Sequence, residues 1–163
     1  MKIAVLSDTH DNIWKLATAL EMMAGADALI HCGDLCSPFM IARLGEHAGG
    51  APVHIVWGNN EGDIRLLTRT ASSFPALTLH GHFASIEIDG VRVAVNHYPE
   101  IAQPIAKSGD FDLVCYGHDH TAHQSMVGNC TLLNPGELMG LRGRTTFAWF
   151  DTQTRSVEFV QVD

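Results

Sequence analysis

The chain has 163 residues, 46% hydrophobic and 17% charged, the balance of an ordinary soluble globular protein large enough to bury a core. With 10 Lys and Arg against 18 Asp and Glu the net charge is −8, and the scattered basic residues form no stripe suited to a nucleic-acid duplex. No apolar stretch reaches bilayer length, and Met1-Lys2-Ile3-Ala4-Val5-Leu6-Ser7-Asp8 is too short and too quickly charged for a signal peptide, so a cytoplasmic protein with no membrane partner is expected.

The elements follow in order. Residues 2–7 read as a buried first strand, and Ile13, Leu16, Ala17, Leu20 and Met23 recur at helical spacing from Asn12 to about Ala24, with Asp11 or Asn12 as the cap. Residues 27–31 are a second strand, 38–47 a helix opened by Pro38, 52–57 a third strand and 62–71 a helix. This β-α-β-α-β order implies parallel strands with right-handed crossovers. Beyond it, Phe83–Ile88 and Val91–Val95 flank Asp89-Gly90, a hairpin signal. A short helix near 100–107 leads to a strand at 112–116, and two hairpins follow, over 124–133 and 144–162. The later part is therefore expected to be mainly antiparallel. With no linker or repeat in view, one domain spanning 1–163 is expected, an α/β sandwich of two mixed sheets with helices outside.

Five of the predicted strands end in groups that bind metals: Asp8-Thr9-His10, Gly33-Asp34, Gly58-Asn59-Asn60-Glu61, Asn96-His97 and Gly117-His118-Asp119-His120. Each string alone is more often a turn, a cap or a surface loop. Five at strand ends are not a coincidence that chance readily supplies, because ligands of open α/β sheets bind beyond the carboxyl ends of strands. Asp-x-His and His-x-His place side chains two apart, on one side of an extended segment, so both are expected to reach one centre. Asp8, His10, Asp34, Asn59, His97, His118 and His120 offer only oxygen and imidazole nitrogen, which suits two borderline divalent metals sharing a carboxylate. The four cysteines lack metal-ligand spacing and read as reduced thiols, mostly buried. His31 and His54 read as core histidines, Trp57 as packing, and Arg65, Arg142 and Arg144 as exposed arginines.

The order D-x-H, G-D, G-N-x-E, H, G-H-x-H, followed by Asn134-Pro135-Gly136, resembles the calcineurin-like metallophosphoesterases, and among them the small YfcE-type phosphodiesterases, whose relatives include a retromer scaffold subunit. The resemblance covers nearly the whole chain. It implies a four-layer α-β-β-α sandwich, with Asp8, His10 and His120 on one metal, Asn59, His97 and His118 on the other, and Asp34 bridging both. The cofactors implied are two divalent ions, manganese first, with nickel, cobalt, iron or zinc as alternatives. Asn59 and Asp34 are expected to act in catalysis, and Asn60, Glu61, Asp119 and Tyr98 to orient ligands or approach substrate.

Two positions depart from the family pattern. Asn60 stands where many members carry a His that protonates the leaving group, and Tyr98-Pro99 follows His97 where Gly is usual. The resemblance implies a phosphodiesterase acting on a small phosphate ester by attack of a metal-bridged hydroxide. The alternatives are a phosphomonoesterase or nucleotide pyrophosphatase with the same centre, or a non-catalytic scaffold. All seven ligand positions are filled, which favours an enzyme. A homo-oligomer is compatible with the sequence.

Overall fold

In the computed structural model, which describes residues 1–163, the parallel unit at the amino terminus is built as its pattern requires. Strands β1 (Lys2–Leu6), β2 (Ala28–His31) and β3 (Val53–Ile55) alternate with helices α1 (Ile13–Met22), α2 (Pro38–His47) and α3 (Ile64–Ala71). Helix α1 is capped by Asn12, whose side chain accepts from Lys15 N at 3.1 Å. Helix α3 is capped in the same way by Asp63, which accepts from Leu66 N at 2.9 Å.

Strand β4 (Leu77–Leu79) extends the parallel set. It was not expected from the sequence, since three residues are too few to show a periodicity. The rest of the chain supplies β5 (Phe83–Ile88), β6 (Val91–Asn96), helix α4 (Pro99–Lys107), β7 (Leu113–Cys115), β8 (His123–Val127), β9 (Cys130–Asn134), β10 (Thr146–Asp151) and β11 (Val157–Gln161).

Two mixed sheets result, a six-stranded one ordered β11-β10-β1-β2-β3-β4 and a five-stranded one ordered β5-β6-β7-β9-β8. The expectation of a mainly antiparallel second part needs correction at its centre. The hairpins β5–β6 and β8–β9 are antiparallel, but β6, β7 and β9 pair parallel. Helix α4 crosses over between β6 and β7, and a parallel neighbour requires such a crossover.

Side-chain alternation sorts the buried residues into layers. Ile3 and Val5 of β1, with Ala28 and Ile30 of β2, face a core between the sheets that includes Val93, Val95, Leu113, Leu133 and Phe150. Their neighbours Ala4, Leu6 and Leu29 face the opposite way, against Leu16, Leu20, Met40, Ile41, Leu44 and Leu67 of α1, α2 and α3. Across the second sheet, Ala102 and Ala106 of α4 pack on Ala94, Val114 and Leu132. Strands buried on both faces need continuous apolar runs, which β1, β2 and β7 have. Trp57 packs in the helix-side core, as expected. No helix is long and apolar enough to cross a membrane.

The inter-sheet layer predicts a stability effect remote from any chemistry. Phe150 is fully buried there, whereas Trp14 on α1 is 78% exposed. Phe150→Ala should cost about 3–5 kcal/mol in urea unfolding, while Trp14→Ala should stay within about 0.5 kcal/mol of wild type. Equal costs for the two would contradict the layer assignment.

Candidate metal centre

The carboxyl ends of β1, β2 and β3 in one sheet, and of β6 and β7 in the other, open on the same edge. The loops that leave them carry the ligand candidates. Asp8 and Asp34 are almost fully buried, and His97 is fully buried.

Asp8 Oδ2 accepts from Ser7 Oγ at 2.6 Å and from the backbone N–H of His118 at 3.1 Å. Its other oxygen, Oδ1, is buried with no hydrogen-bond partner, as is His10 Nε2. These orphaned atoms lie 3.7 Å apart, and His120 Nε2 is 3.4 Å from the same Asp8 oxygen. Ligand atoms of Asp8, His10 and His120 all lie within 4.8 Å of one another, as do those of Asp8, Asp34 and His97. Asp34 Oδ2 sits between the two sets, 3.3 Å from His10 Nε2 and 3.4 Å from His97 Nε2. Asn59 Oδ1 lies 3.2 Å from His97 Nε2 and 2.9 Å from His118 Nδ1. All seven candidates therefore converge, and an unpartnered buried carboxylate oxygen facing imidazole nitrogens fits a divalent cation.

The extended-segment argument for Asp-x-His and His-x-His is corrected by the backbone. Asp8, His10, Asp34, His118 and His120 all have positive φ, between 40° and 74°. They converge because left-handed turns fold each loop back onto the strand ends, a conformation that Asp, Asn and His tolerate better than most residues. Such residues cluster at functional sites, where surrounding structure must hold them. Two glycines allow the close approach. A Cβ on Gly58 would collide with Asp34 Oδ1, and one on Gly117 would strike Ser7 Oγ and lie 2.6 Å from Asp8 Oδ2.

The orienting groups are equally specific. Glu61 ties two loops together, its Oε1 accepting from Asp34 N at 2.9 Å and Gly58 N at 2.7 Å, its Oε2 from Cys36 N at 3.1 Å. Asn60 donates to both oxygens of Asp34, from its backbone N–H at 2.8 Å and its side chain at 2.7 Å. Asp119 turns away from the cluster, accepting from Thr121 N and Asn134 Nδ2, and shapes its own loop. Tyr98 lies with its ring centroid 5.2 Å from that of His97 and 5.1 Å from that of His118, and it precedes Pro99 at the first turn of α4.

His97 Nδ1 donates to the Cys32 carbonyl at 2.8 Å, which turns the Nε2 lone pair toward Asp34 and Asn59. His120 Nδ1 donates to Glu137 Oε2 at 2.5 Å. Glu137 is fully buried and was not singled out from the sequence. Its signal was available as a charged residue directly after the Asn134-Pro135-Gly136 turn, but nothing local tells that it reaches His120.

Electrostatics follow from this crowding. Burial alone would raise the carboxyl pKa of Asp34, but bonds from His97 and Asn60 outweigh it and hold the group well below the carboxylate range. For Asp8 burial is likewise outweighed, by His10 and Ser7. The Asp8 carboxylate raises the pKa of His10 against the effect of burial, and Asp34 does the same for His97.

Among the other histidines, His31 is a buried, satisfied core residue. Gly33 N donates to its Nδ1 at 3.1 Å, and Thr9 Oγ1 lies 3.2 Å from its Nε2. His54 departs from the core reading: it is half-buried and pairs with His80 across the β3–β4 edge at 3.0 Å. All four cysteines are free thiols, and Cys36 Sγ lies 3.6 Å from His10 Nδ1, with burial pushing its thiol pKa up to about 12.

A cleft of about 520 Å³ opens over the cluster, lined by His10, Asp34, Asn59, Asn60, His118 and His120 and by Met139, Leu141 and Arg142 of the loop before β10. Arg142, exposed as expected, also forms part of the cleft wall.

An Asp/His/Asn cluster at the joint carboxyl edge of two sheets suits a metal-dependent hydrolase. Residues 1–155 match the model of the calcineurin-like phosphoesterase superfamily domain, and the chain belongs to that family. It is 32% identical over 160 residues to a phosphodiesterase of Methanocaldococcus jannaschii, covering 95% of each chain. It is 30% identical over 151 residues to a probable metallophosphoesterase of Bacillus subtilis, covering 90% of this chain and 80% of that one. The solved structure of an archaeal phosphodiesterase superposes with a TM-score of 0.91 at 30% identity, over 99% of both chains.

His31 carries a pH prediction. Burial pushes its pKa down to about 3, so the folded chain keeps it neutral. Above its unfolded value of about 6.5 it has no effect on stability. As pH falls from there toward about 3, the unfolded chain takes up a proton that the folded chain refuses, and stability drops by up to about 1.4 kcal/mol per pH unit. Urea unfolding of chelator-treated protein should therefore show a shallower acid slope in His31→Gln than in wild type. Identical slopes would mean that folded His31 protonates normally.

Proposed function

We propose that the chain is a phosphodiesterase whose centre holds two divalent ions, manganese first among the candidates. In this reading Asp8, His10 and His120 hold one ion, Asn59, His97 and His118 the other, and Asp34 both. The observation that carries it is the position of Asp34 Oδ2, 3.3 Å from His10 Nε2 and 3.4 Å from His97 Nε2, between the two ligand sets. Support for the diester substrate comes from the phosphodiesterase relatives of archaeal origin.

When bound, two divalent ions supply a water of lowered pKa and positive charge for the phosphoryl oxygens. The chain's own groups do the rest. Asp8 and Asp34 provide the anionic charge that makes the site selective for cations. Cys32 O and Glu137 fix the ring orientations of His97 and His120, so that each presents an Nε2 lone pair. Asn59 Oδ1 faces the same point as His97 Nε2 and His118 Nδ1, which leaves its Nδ2 to donate to a nonbridging phosphoryl oxygen in the cleft. Asn60 is committed to Asp34, and a carboxamide has no acid to offer at neutral pH. The contribution of about 10²–10⁴-fold usual for a general acid is therefore missing from this position, which favours esters with good leaving groups.

Elemental analysis of protein purified without chelator should find about two metal ions per chain. Asp34→Asn should lose at least about a thousandfold in turnover of aryl phosphodiesters while keeping its far-UV circular dichroism. A metal content that stays near zero after supplementation with manganese, nickel, cobalt and zinc would overturn the two-ion reading. Wild-type turnover by Asp34→Asn at saturating metal would remove Asp34 as the shared ligand. A panel with phosphomonoesters and pyrophosphates alongside the diesters decides the ester class.

Glu137→Gln tests the orienting role separately. It keeps the shape but removes the charge opposite His120 Nδ1, so manganese affinity measured by calorimetry should fall roughly 10–100-fold. Unchanged affinity would leave Glu137 a purely structural group.

A further inference from the structure

A second cavity of about 390 Å³ shares His120 and Arg142 with the cleft, and its wall also includes Thr121, Arg144 and Phe159. His120 and Arg142 border both spaces, so a molecule reacting over the metal-ligand cluster can extend from one into the other. Nothing in the phosphodiesterase reading uses this second cavity.

Its lining holds two arginines and no acidic residue. The net charge of the chain is −8, and Arg92 and Arg155 are both paired with Asp112. Arg142 and Arg144 form no ion pair. Arg144 Nε donates to the Gln161 side chain at 3.2 Å, a neutral partner that steers the guanidinium and does not neutralise it. The loop that carries both arginines is anchored to the cluster itself. Arg142 N donates to Glu137 Oε1 at 2.8 Å, while Glu137 Oε2 holds His120, and Thr146 N donates to the Glu137 carbonyl at 2.9 Å. One buried carboxylate thus ties a metal-ligand candidate and the arginine loop together. Two guanidinium groups without a carboxylate partner favour an anionic group over a neutral one, and their planar donors match the oxygens of a phosphate. Phe159, 37% exposed, adds an apolar face on which a flat ring can lie.

We infer that this cavity is a subsite for a second phosphate, carried by the organic half of a phosphodiester, with a phosphorylated nucleoside as the substrate class. The inference rests on the phosphodiesterase reading for its catalytic consequence, and on the cavity alone for binding. The diester phosphorus lies over the ligand cluster, the nucleoside reaches past His120, and its other phosphate meets Arg142 and Arg144.

Two arms test it. In the first, manganese-loaded enzyme is given the 5′-(p-nitrophenyl phosphate) ester of thymidine and the same ester carrying a 3′-phosphate, with release of p-nitrophenolate followed. The phosphorylated ester should have a KM about ten- to a hundredfold lower, the range expected of charged hydrogen bonds. Arg144→Gln should bring the ratio close to one, and Arg144→Lys should restore part of it. In the second arm, calorimetry on manganese-loaded protein should show thymidine 3′,5′-bisphosphate binding more tightly than thymidine 5′-monophosphate, with the difference lost in Arg144→Gln. Equal KM values and equal binding in wild type would overturn the subsite, as would a preference that survives Arg144→Gln. Failure of both esters to turn over would instead overturn the phosphodiesterase reading, and the binding arm then decides the subsite on its own.

Discussion

Burying Asp8 and Asp34 at the ends of neighbouring parallel strands imposes a cost that the surrounding structure is arranged to meet. An unpaired carboxylate removed from water is among the least stable groups a fold can contain. Every oxygen of the pair except Asp8 Oδ1 receives a hydrogen bond, from Ser7, His118 N or Asn60. The imidazoles of His10, His97 and His120 stand within 3.7 Å of the remaining negative charge. The single exception is the oxygen that faces two of those rings. A cation at that point would satisfy both kinds of group at once, which is what fits the cluster to hold one.

The same constraint explains the loops. To bring five loops from two sheets onto one pair of carboxylates, the chain must turn back sharply at the strand ends. It does so through left-handed residues at Asp8, His10, Asp34, His118 and His120. Each such residue costs on the order of 1 kcal/mol or more. The layers beneath supply the compensation: aliphatic side chains packed on both faces of β1, β2 and β7 contribute roughly 1.5–3 kcal/mol apiece when fully buried. Rigid parallel strands below and strained loops above divide the work between stability and chemistry.

Glu137 connects this centre to the rest of the cleft. It is fully buried, it fixes His120, and it holds the backbone of the loop on which Arg142 and Arg144 sit. One buried side chain thus links the candidate metal centre to the loop that carries the two arginines.

Much was legible from local pattern. Alternating βαβ units, the Asp89-Gly90 hairpin and apolar runs buried on both faces appear in the sequence at short range, since periodicity and turn chemistry are local properties. The identity of the seven ligand candidates was equally readable, because each stands directly after a strand and is separated from it by at most a few residues. What the chain alone did not disclose depends on long-range placement. Strand β4 is too short to announce itself and exists because β3 offers it an edge. The parallel pairing of β6 with β7 follows the α4 crossover, and that of β7 with β9 depends on β8 running back along the sheet edge. Positive φ at the ligands, which brings them together, arises from the tertiary convergence on Asp8 and Asp34 and has no signature in spacing. Glu137, 17 residues from His120, and the unpaired arginines beside it acquire their roles only when β9 and β10 bring them to the cleft. Sequence determined which groups are available and where strands end; tertiary structure decided which of them meet, since contact between distant segments is fixed by packing and not by local propensity.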